Sequence, residues 1–437
     1  MSEFAVAAQP WAEPRTRFAE WAKQPFCVWL DSASPGRFSI LTASPIKIFR
    51  SKGNRIEIIS PDGALKFEGN PFEALAEQLA LHRHDTASDR AVPVGAAIGY
   101  FGYGLKNFVE RLPANAVDDL GLPDCWFGFY DSSLVFDHLE KAIWRVGTDR
   151  RAVHLTAARP AVEPYRGEMI SNFTRDTYRD VILRAKEYIA AGDIYQVNLS
   201  QRFQCGIDAS PVDAYLALRE ANPAPYCAYL DIGEAQILSS SPECFLKIRD
   251  RHVVTRPIKG TCPRDGDANA LLQSPKDNAE LLMITDLERN DLGKVCQFGS
   301  VYVRELKRVE TYATVHHLVS TVEGLLRREV SHVDCVRACF PGGSVTGAPK
   351  IRAMQIIDEL EPHARGVYTG AIGFLGFNGV SHFNIAIRTI VQQGQRLTFH
   401  AGGGIVADSE PDAEYDETLA KAQGIFNAID QLRLRQR

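Results

Sequence analysis

Two pairs of acids give the first chemical signal. Asp277 and Glu280 are spaced i, i+3, as are Glu414 and Glu417, so each pair stands on one face of a helix. If the two faces meet, four carboxylates converge, and they then require a cation. All-oxygen ligands suit Mg²⁺ or Mn²⁺, and Mg²⁺ keeps waters that a substrate oxygen can replace. An isolated pair of this spacing is ordinarily a solvated helix face. Here Leu281, Leu282, Met283 and Ile284 make the surroundings of Glu280 apolar, and a buried carboxylate needs a partner. Ala401-Gly402-Gly403-Gly404 precedes the second pair and offers bare N–H groups to an anion. Lys421, one turn beyond Glu417, adds a positive charge.

Lys259 is the second signal, in Thr255-Arg256-Pro257-Ile258-Lys259-Gly260-Thr261. An amine between an apolar strand end and a Gly-Thr turn is rigidly placed, and desolvation lowers its pKa toward a nucleophilic, neutral form. Glu243 in Ser241-Pro242-Glu243, expected on the neighbouring strand, offers a proton donor or acceptor. The plainer alternative is a surface ion pair, which contributes little. Third, Pro341 to Lys350 runs through Gly342, Gly343, Ser344 and Gly347 into a helix whose N-terminus could hold a carboxylate. It is not a phosphate loop, because Ala348 and not lysine follows Gly347. Gly99, Gly102 and Gly104 lack dinucleotide-binding register, and Tyr100, Phe101 and Tyr103 read as core or interface. His316 and His317 are adjacent and so diverge; a satisfied buried histidine is the default for each.

Elements must position these groups. To about Glu163 the chain reads as short strands (CVWLDS, RFSILTASP, RIEIIS, KAIWRVGTD) around a helix at PFEALAEQLALHR. The segment AARPAVEPYRGEM, with two prolines and little periodicity, is a candidate linker. A helix capped by Thr174 and stopped at Gly192 follows. IYQVNLSQRF, YCAYLDI, AQILSSSP, HVVTRPI and LTFHAGGGIVADS read as strands. Helices are expected at KDNAELLMITDLERNDLGKV, HHLVSTVEGLL, GAPKIRAMQIIDEL and PDAEYDETLAKAQGIFNAI. Strands in blocks and helices in blocks indicate an α+β fold of antiparallel sheets covered by helices.

Composition narrows the partners. The chain has 437 residues, room for two or three domains or one interlocked unit. Its 49 basic and 54 acidic residues nearly cancel, so no global field points to nucleic acid or an anionic membrane. A small molecule is the expected partner. Nine cysteines without a C-x-x-C pair fit reduced thiols. With neither a leader-like start nor an apolar run of about 20 residues, the expected compartment is the cytoplasm.

Taken in order, these pieces resemble the chorismate-utilising enzymes, the family of anthranilate synthase large subunits, aminodeoxychorismate synthase component I, and isochorismate and salicylate synthases. The stretches that carry the resemblance are DIYQVNLSQRF, SPECFL, TRPIKGT, KDNAELLMITDLERNDLG, VHHLVSTVEG, FPGGSVTGAPKIRAMQIIDELEP, GVYTGAIGFL, IAIRT and AGGGIVADSEPDAEYDET. VWLDS, RFSILTASP and GAAIGYFGYGL extend it more loosely toward the N-terminus. The resemblance implies an N-terminal region over residues 1–163 interlocked with a catalytic region over 173–432. It also implies a sandwich of antiparallel sheets flanked by helices.

Two positions choose within the family. Isochorismate and salicylate synthases carry a water-activating lysine where this chain has Gln196. Anthranilate synthases carry alanine where it has Lys259, a lysine similar to that of aminodeoxychorismate synthases. The resemblance therefore implies conversion of chorismate and ammonia to 4-amino-4-deoxychorismate, for 4-aminobenzoate and folate synthesis, with Lys259 as nucleophile and Glu243 as acid. It implies Mg²⁺ on Glu280 and Glu417, with Asp277 and Glu414 acting directly or through water. The ring carboxylate would meet Gly402, Gly403, Gly404 and Lys421, and the pyruvyl carboxylate Arg388 and Tyr368. Gln196, Gly260, Thr261, His317 and Ser344 would line the ring. Cys244 departs from the family's usual arginine.

Some members also hold tryptophan. Here Ser32, Pro35 to Phe38 (with Arg37 and Phe38), Pro225, Tyr226 and Cys227 would form that site, with Pro35, Gly36 and Cys227 departing from the pattern. No cysteine sits in G-x-C-x-G, so ammonia is expected from a separate glutamine amidotransferase subunit. The rivals are an anthranilate synthase component I and a non-catalytic tryptophan- or metal-binding regulatory subunit.

Overall fold

The computed structural model describes residues 5–33, 36–84, 92–147, 165, 167–312 and 315–435. Two twelve-stranded sheets form the centre, and every pairing between their named strands is antiparallel. Each sheet mixes both ends of the chain. In one, Val28–Asp31 pairs with Tyr226–Asp231, and Gln196–Gly206 pairs with Arg396–Ile405. In the other, Ala96–Phe101 pairs with Ala371–Gly376.

Apolar side chains from the two facing sheets, among them Val28, Ile40, Ala228 and Ile237 against Ile98, Trp126, Ile372 and Phe374, make the central layer. Helices cover both outer faces. Pro211–Ala221 and Pro411–Arg435 pack on Phe203, Leu397 and Phe399, whereas Pro71–Ala80 and His332–Cys339 pack on Phe127, Leu246 and Phe383. The result is the expected α+β architecture, four layers deep.

Local rules explain most elements. Thr174 and Thr177 form a capping box that starts the helix Arg175–Ala190, and Tyr178, Ile182 and Ala185 bury one stripe of it. The C-terminal helix buries Thr418, Ala422, Ile425, Ile429 and Leu432 at steps of three and four. All nine cysteines are free.

One expected helix is a strand. HHLVSTVEGLL belongs to Val315–Leu325, which pairs with His252–Arg256, Ile258–Pro263 and Tyr302–Thr311. Its interior residues are buried on both faces, so the run shows no alternation, and a continuous apolar run does not by itself distinguish strand from helix. Most of the candidate linker, and Pro35, lie outside the described residues. Among the described residues no helix is long and apolar enough to cross a membrane.

Candidate active site

Lys259 sits on the strand Ile258–Pro263 where its pairing with Val315–Leu325 loses register between Ile258 and Thr261. Such a break re-aims a side chain. Gly260 makes it feasible: its φ is +79°, and a Cβ there would stand 3.0 Å from the carboxyl carbon of Asp277. The amine donates to the backbone oxygen of Ser344 at 3.3 Å. Solvent still reaches Lys259, although protein packs densely around it. Burial pushes the amine below the usual lysine range, against the pull of Glu280 and in concert with Lys421.

Glu243 lies in the link between Gln236–Ser241 and Cys244–Arg249, not on a strand beside Lys259 as expected. Space brings the two together all the same. The N–H of Ile258, immediately before Lys259, donates to Glu243 Oε1 at 3.4 Å. The Glu243 main chain is held as well: its N–H donates to Ser241 Oγ and its carbonyl accepts from Ile385. Burial raises the carboxyl above the usual range, outweighing the Ser344 hydroxyl, Lys259 and the Ile258 N–H. Ser344 Oγ lies near this carboxyl yet completes no hydrogen bond of good geometry. Both shifts run toward the neutral forms, the forms in which a nucleophilic amine and a proton-donating acid act.

The acids approach from two helices. Asp277, in the first turn of Pro275–Gly293, faces Gly260, and Glu280 acts electrostatically on Lys259. On the C-terminal helix, Glu417 pairs with Lys421 at 2.6 Å and Glu414 accepts from Ser409 Oγ at 2.6 Å. A Cβ at Gly403 would stand 3.3 Å from both Glu414 Oε2 and Glu417 Oε1, so the bare glycine lets these carboxylates reach the strand. Burial favours a protonated Glu414. Burial also opposes charge on Glu417, but Lys421, Lys276 and Lys259 outweigh it.

Among the described residues no three His, Cys, Asp or Glu side chains stand together closely enough to enclose a metal ion. The buried Glu414 Oε2 has no hydrogen-bond partner. A carboxylate pair with an unsatisfied oxygen fits Mg²⁺ that fills its remaining positions with water and substrate oxygens.

The remaining expected residues divide between two places. Thr261 Oγ1 and His317 Nδ1 share a hydrogen bond of 2.8 Å. Burial first and Arg388 second push the His317 imidazole down to about 4, so it is neutral at pH 7. Arg388 also lies within electrostatic reach of Tyr368, whose ring stacks on His400 at 4.9 Å. Gly402 to Gly404 pair with Ser200 to Asn198 on the neighbouring strand, and the Gln196 side chain lies against Gly404. His316 is satisfied by Thr311 and the Arg264 carbonyl, and Tyr100, Phe101 and Tyr103 are core.

Ser32, Arg37, Phe38, Pro225, Tyr226 and Cys227 instead line a separate cavity of about 740 Å³ between the sheets. Cys244 borders that side too, its sulfur 3.7 Å from His382 Nε2.

Sequence reasoning overlooked Arg365 and Glu361. Both are buried and form an ion pair at 2.7 Å. Arg365 also donates to the carbonyls of Asn198 and Val345 and to Thr369 Oγ1, and Glu361 takes the Ser200 N–H and hydroxyl. One guanidinium thus ties the Gln196 strand, the Ser344 turn and the Tyr368 turn. Their i, i+4 spacing at the end of the helix Lys350–Leu360 was the only signal. Arg365→Met should cost about 3–5 kcal/mol, because Glu361 would be left buried and unpaired. Urea denaturation measures this, and a loss below about 1 kcal/mol would show that the pair is dispensable.

Residues 25–427 match the family described as chorismate binding enzymes. The chain is 38% identical over 429 residues to aminodeoxychorismate synthase component 1 of Bacillus subtilis, covering 92% of this chain and 91% of the relative. It is 40% identical over 445 residues to anthranilate synthase component 1 of Thermus thermophilus, covering 95% of each. The crystal structure of anthranilate synthase component I from Streptococcus pneumoniae superposes with a TM-score of 0.79 at 32% identity, over 90% of this chain and 92% of the other. With residues 25–427 matched and the fold in agreement, the chain belongs to the chorismate-binding enzyme family.

Proposed function

We propose that the chain is an aminodeoxychorismate synthase component I, replacing the C4 hydroxyl of chorismate by an amino group. The observation that carries this reading is the pairing of an amine and an acid at one spot: Lys259 at a strand irregularity, with Glu243 anchored on the neighbouring Ile258 N–H. Lys259 attacks C2 with its lone pair, the ring double bonds shift, and the C4–O bond breaks as Glu243 gives its proton to the leaving oxygen, releasing water. Ammonia then attacks C4, the double bonds shift back and Lys259 leaves. Two displacements return the new group to C4, and no base needs to remove the C2 hydrogen.

Arg388 and Tyr368 grip the pyruvyl carboxylate, and Lys421 with the Gly402 to Gly404 backbone meets the ring carboxylate. Glu280 and Glu417, supported by Asp277 and Glu414, would hold Mg²⁺, which would supply positive charge for that carboxylate. Ammonia comes from glutamine through a separate amidotransferase subunit, and the product feeds 4-aminobenzoate and folate synthesis.

The test is product analysis. Incubated with chorismate, Mg²⁺ and ammonium and no added lyase, the protein should yield 4-amino-4-deoxychorismate by liquid chromatography and mass spectrometry. Prompt appearance of fluorescent anthranilate would overturn the assignment in favour of an anthranilate synthase.

A further inference from the structure

His400 stands on the strand Arg396–Ile405, immediately before the Ala401 to Gly404 stretch. Its imidazole lies flat against the ring of Tyr368: the centroids are 4.9 Å apart and the planes differ by 10°. Both residues are buried, at 6% exposure each. Arg202 is opposite His400 on the neighbouring strand, but its guanidinium is engaged with Asp119 at 2.5 and 3.0 Å. Burial, with Arg202 and Arg365 nearby, pushes the imidazole well below its usual range, so the ring that meets Tyr368 is uncharged.

The backbone at Tyr368 is already fixed. Its N–H donates to the Arg365 carbonyl at 2.9 Å, the Gly370 N–H donates to Val367 at 3.0 Å, and Thr369 takes the left-handed conformation at φ +59°. The Arg365 guanidinium also lies over the Tyr368 ring, its Cζ 5.6 Å from the centroid. What the backbone leaves open is the ring plane, because the torsion between Cβ and an aromatic ring is broad. A phenol O–H prefers the plane of its ring, so that plane decides where the proton points. A parallel ring packed on one face fixes the plane. An aliphatic side chain of similar size fills the space without fixing it.

The direction matters for binding. Arg388 lies within electrostatic reach of Tyr368, and on the reading above the two grip the pyruvyl carboxylate. The guanidinium offers a fork of five N–H donors, whereas the phenol has a single proton to aim.

We propose that His400 is a positioning residue whose ring, stacked on Tyr368, sets the plane in which the Tyr368 hydroxyl donates to the pyruvyl carboxylate of chorismate. This rests on Arg388 and Tyr368 being the grip on that carboxylate. Were His400 only filling space, leucine would serve as well.

The test uses His400→Leu, His400→Phe, Tyr368→Phe and the double variant Tyr368→Phe with His400→Leu. Initial rates of chorismate consumption are measured against chorismate at saturating ammonium and Mg²⁺. His400→Leu should raise the KM for chorismate about fivefold to tenfold, the scale of a lost aromatic pair. Its kcat should stay within about twofold of wild type, because the grip is made equally in the ground and transition states. His400→Phe, which keeps a flat ring, should bring the KM back to within about threefold of wild type. In the Tyr368→Phe background, where no hydroxyl remains to be aimed, His400→Leu should change the KM by less than about twofold. A KM for His400→Leu within twofold of wild type overturns the proposal, and so does an equal rise in the Tyr368→Phe background or a His400→Phe no better than His400→Leu. If His400→Leu fails to fold by circular dichroism, His400→Met takes its place in both backgrounds. Tyr368→Phe with an unchanged KM sinks the underlying grip. Tyr368→Phe with a raised KM, beside a His400→Leu that keeps the wild-type value, sinks only the role of His400.

Discussion

Replacing Lys259 by alanine lowers chorismate turnover on the order of 10³-fold, within the range that removal of a group at the reacting atoms carries, and leaves the fold intact. The chemical reason on the proposed mechanism is that ammonia would then have to displace the hydroxyl directly, without the lysine adduct that divides the replacement in two. The fold survives because the amine is poorly accommodated: burial holds its pKa below the usual lysine value. The sign follows from proton binding. Between the lowered folded pKa and the ordinary unfolded one, the unfolded chain binds more protons, so this group's contribution makes stability rise with pH across that window. Below the window the full destabilisation is present. Lys259→Met should therefore be more stable than wild type at neutral pH, and its stability should lose that part of its pH dependence. Turnover by Lys259→Ala within about threefold of wild type would rule out a covalent role.

Glu243→Gln should cost 10²- to 10⁴-fold in turnover, the usual range for a positioned general acid. The amide keeps the shape and can still accept from the Ile258 N–H, but it has no proton to give. In the wild type the acid form is the working form, and burial raises its pKa. Activity should therefore fall as pH rises through that raised value, and stability should fall over the same window, because the folded state there binds more protons than the unfolded one. The variant should lose this limb of the stability profile. A pH–rate curve for Glu243→Gln parallel to that of the wild type, at similar height, would remove Glu243 from the proton transfer.

The two variants test different links of one chain of cause. On the proposed mechanism Lys259 acts through its lone pair and Glu243 through its proton, and burial shifts both toward their neutral forms. The same burial raises Glu414, whereas Lys421 keeps Glu417 charged. Two carboxylates one turn apart are thus shifted in opposite directions by their neighbours.

What could be read along the chain was whatever depends on near neighbours. The i, i+3 acids, the Thr174 cap, the Gly192 stop and the lysine between an apolar strand end and a Gly-Thr turn are all short-range, because helix and turn geometry fixes which residues a few positions apart can meet. Resemblance added the roles expected of Arg388 and Tyr368 toward the pyruvyl carboxylate. Where burial removed the pattern, the reading failed: Val315–Leu325 shows no alternation because strands flank it on both sides and its faces are covered.

Sequence alone therefore determined the kinds of chemical group available, their local spacing and the family to which they point. Tertiary structure alone decided who meets whom. Glu243 reaches the Ile258 N–H from outside any strand, Arg365 joins three segments, the Gln196 side chain lies against Gly404, and Ser32, Arg37, Phe38, Pro225, Tyr226 and Cys227 gather in a cavity that Lys259 does not line. The physical reason is that these contacts come from strand register and burial, which depend on pairing between segments as far apart as residues 198 and 404. Burial, and not residue type, is also what pushes the amine and the acid toward their neutral forms.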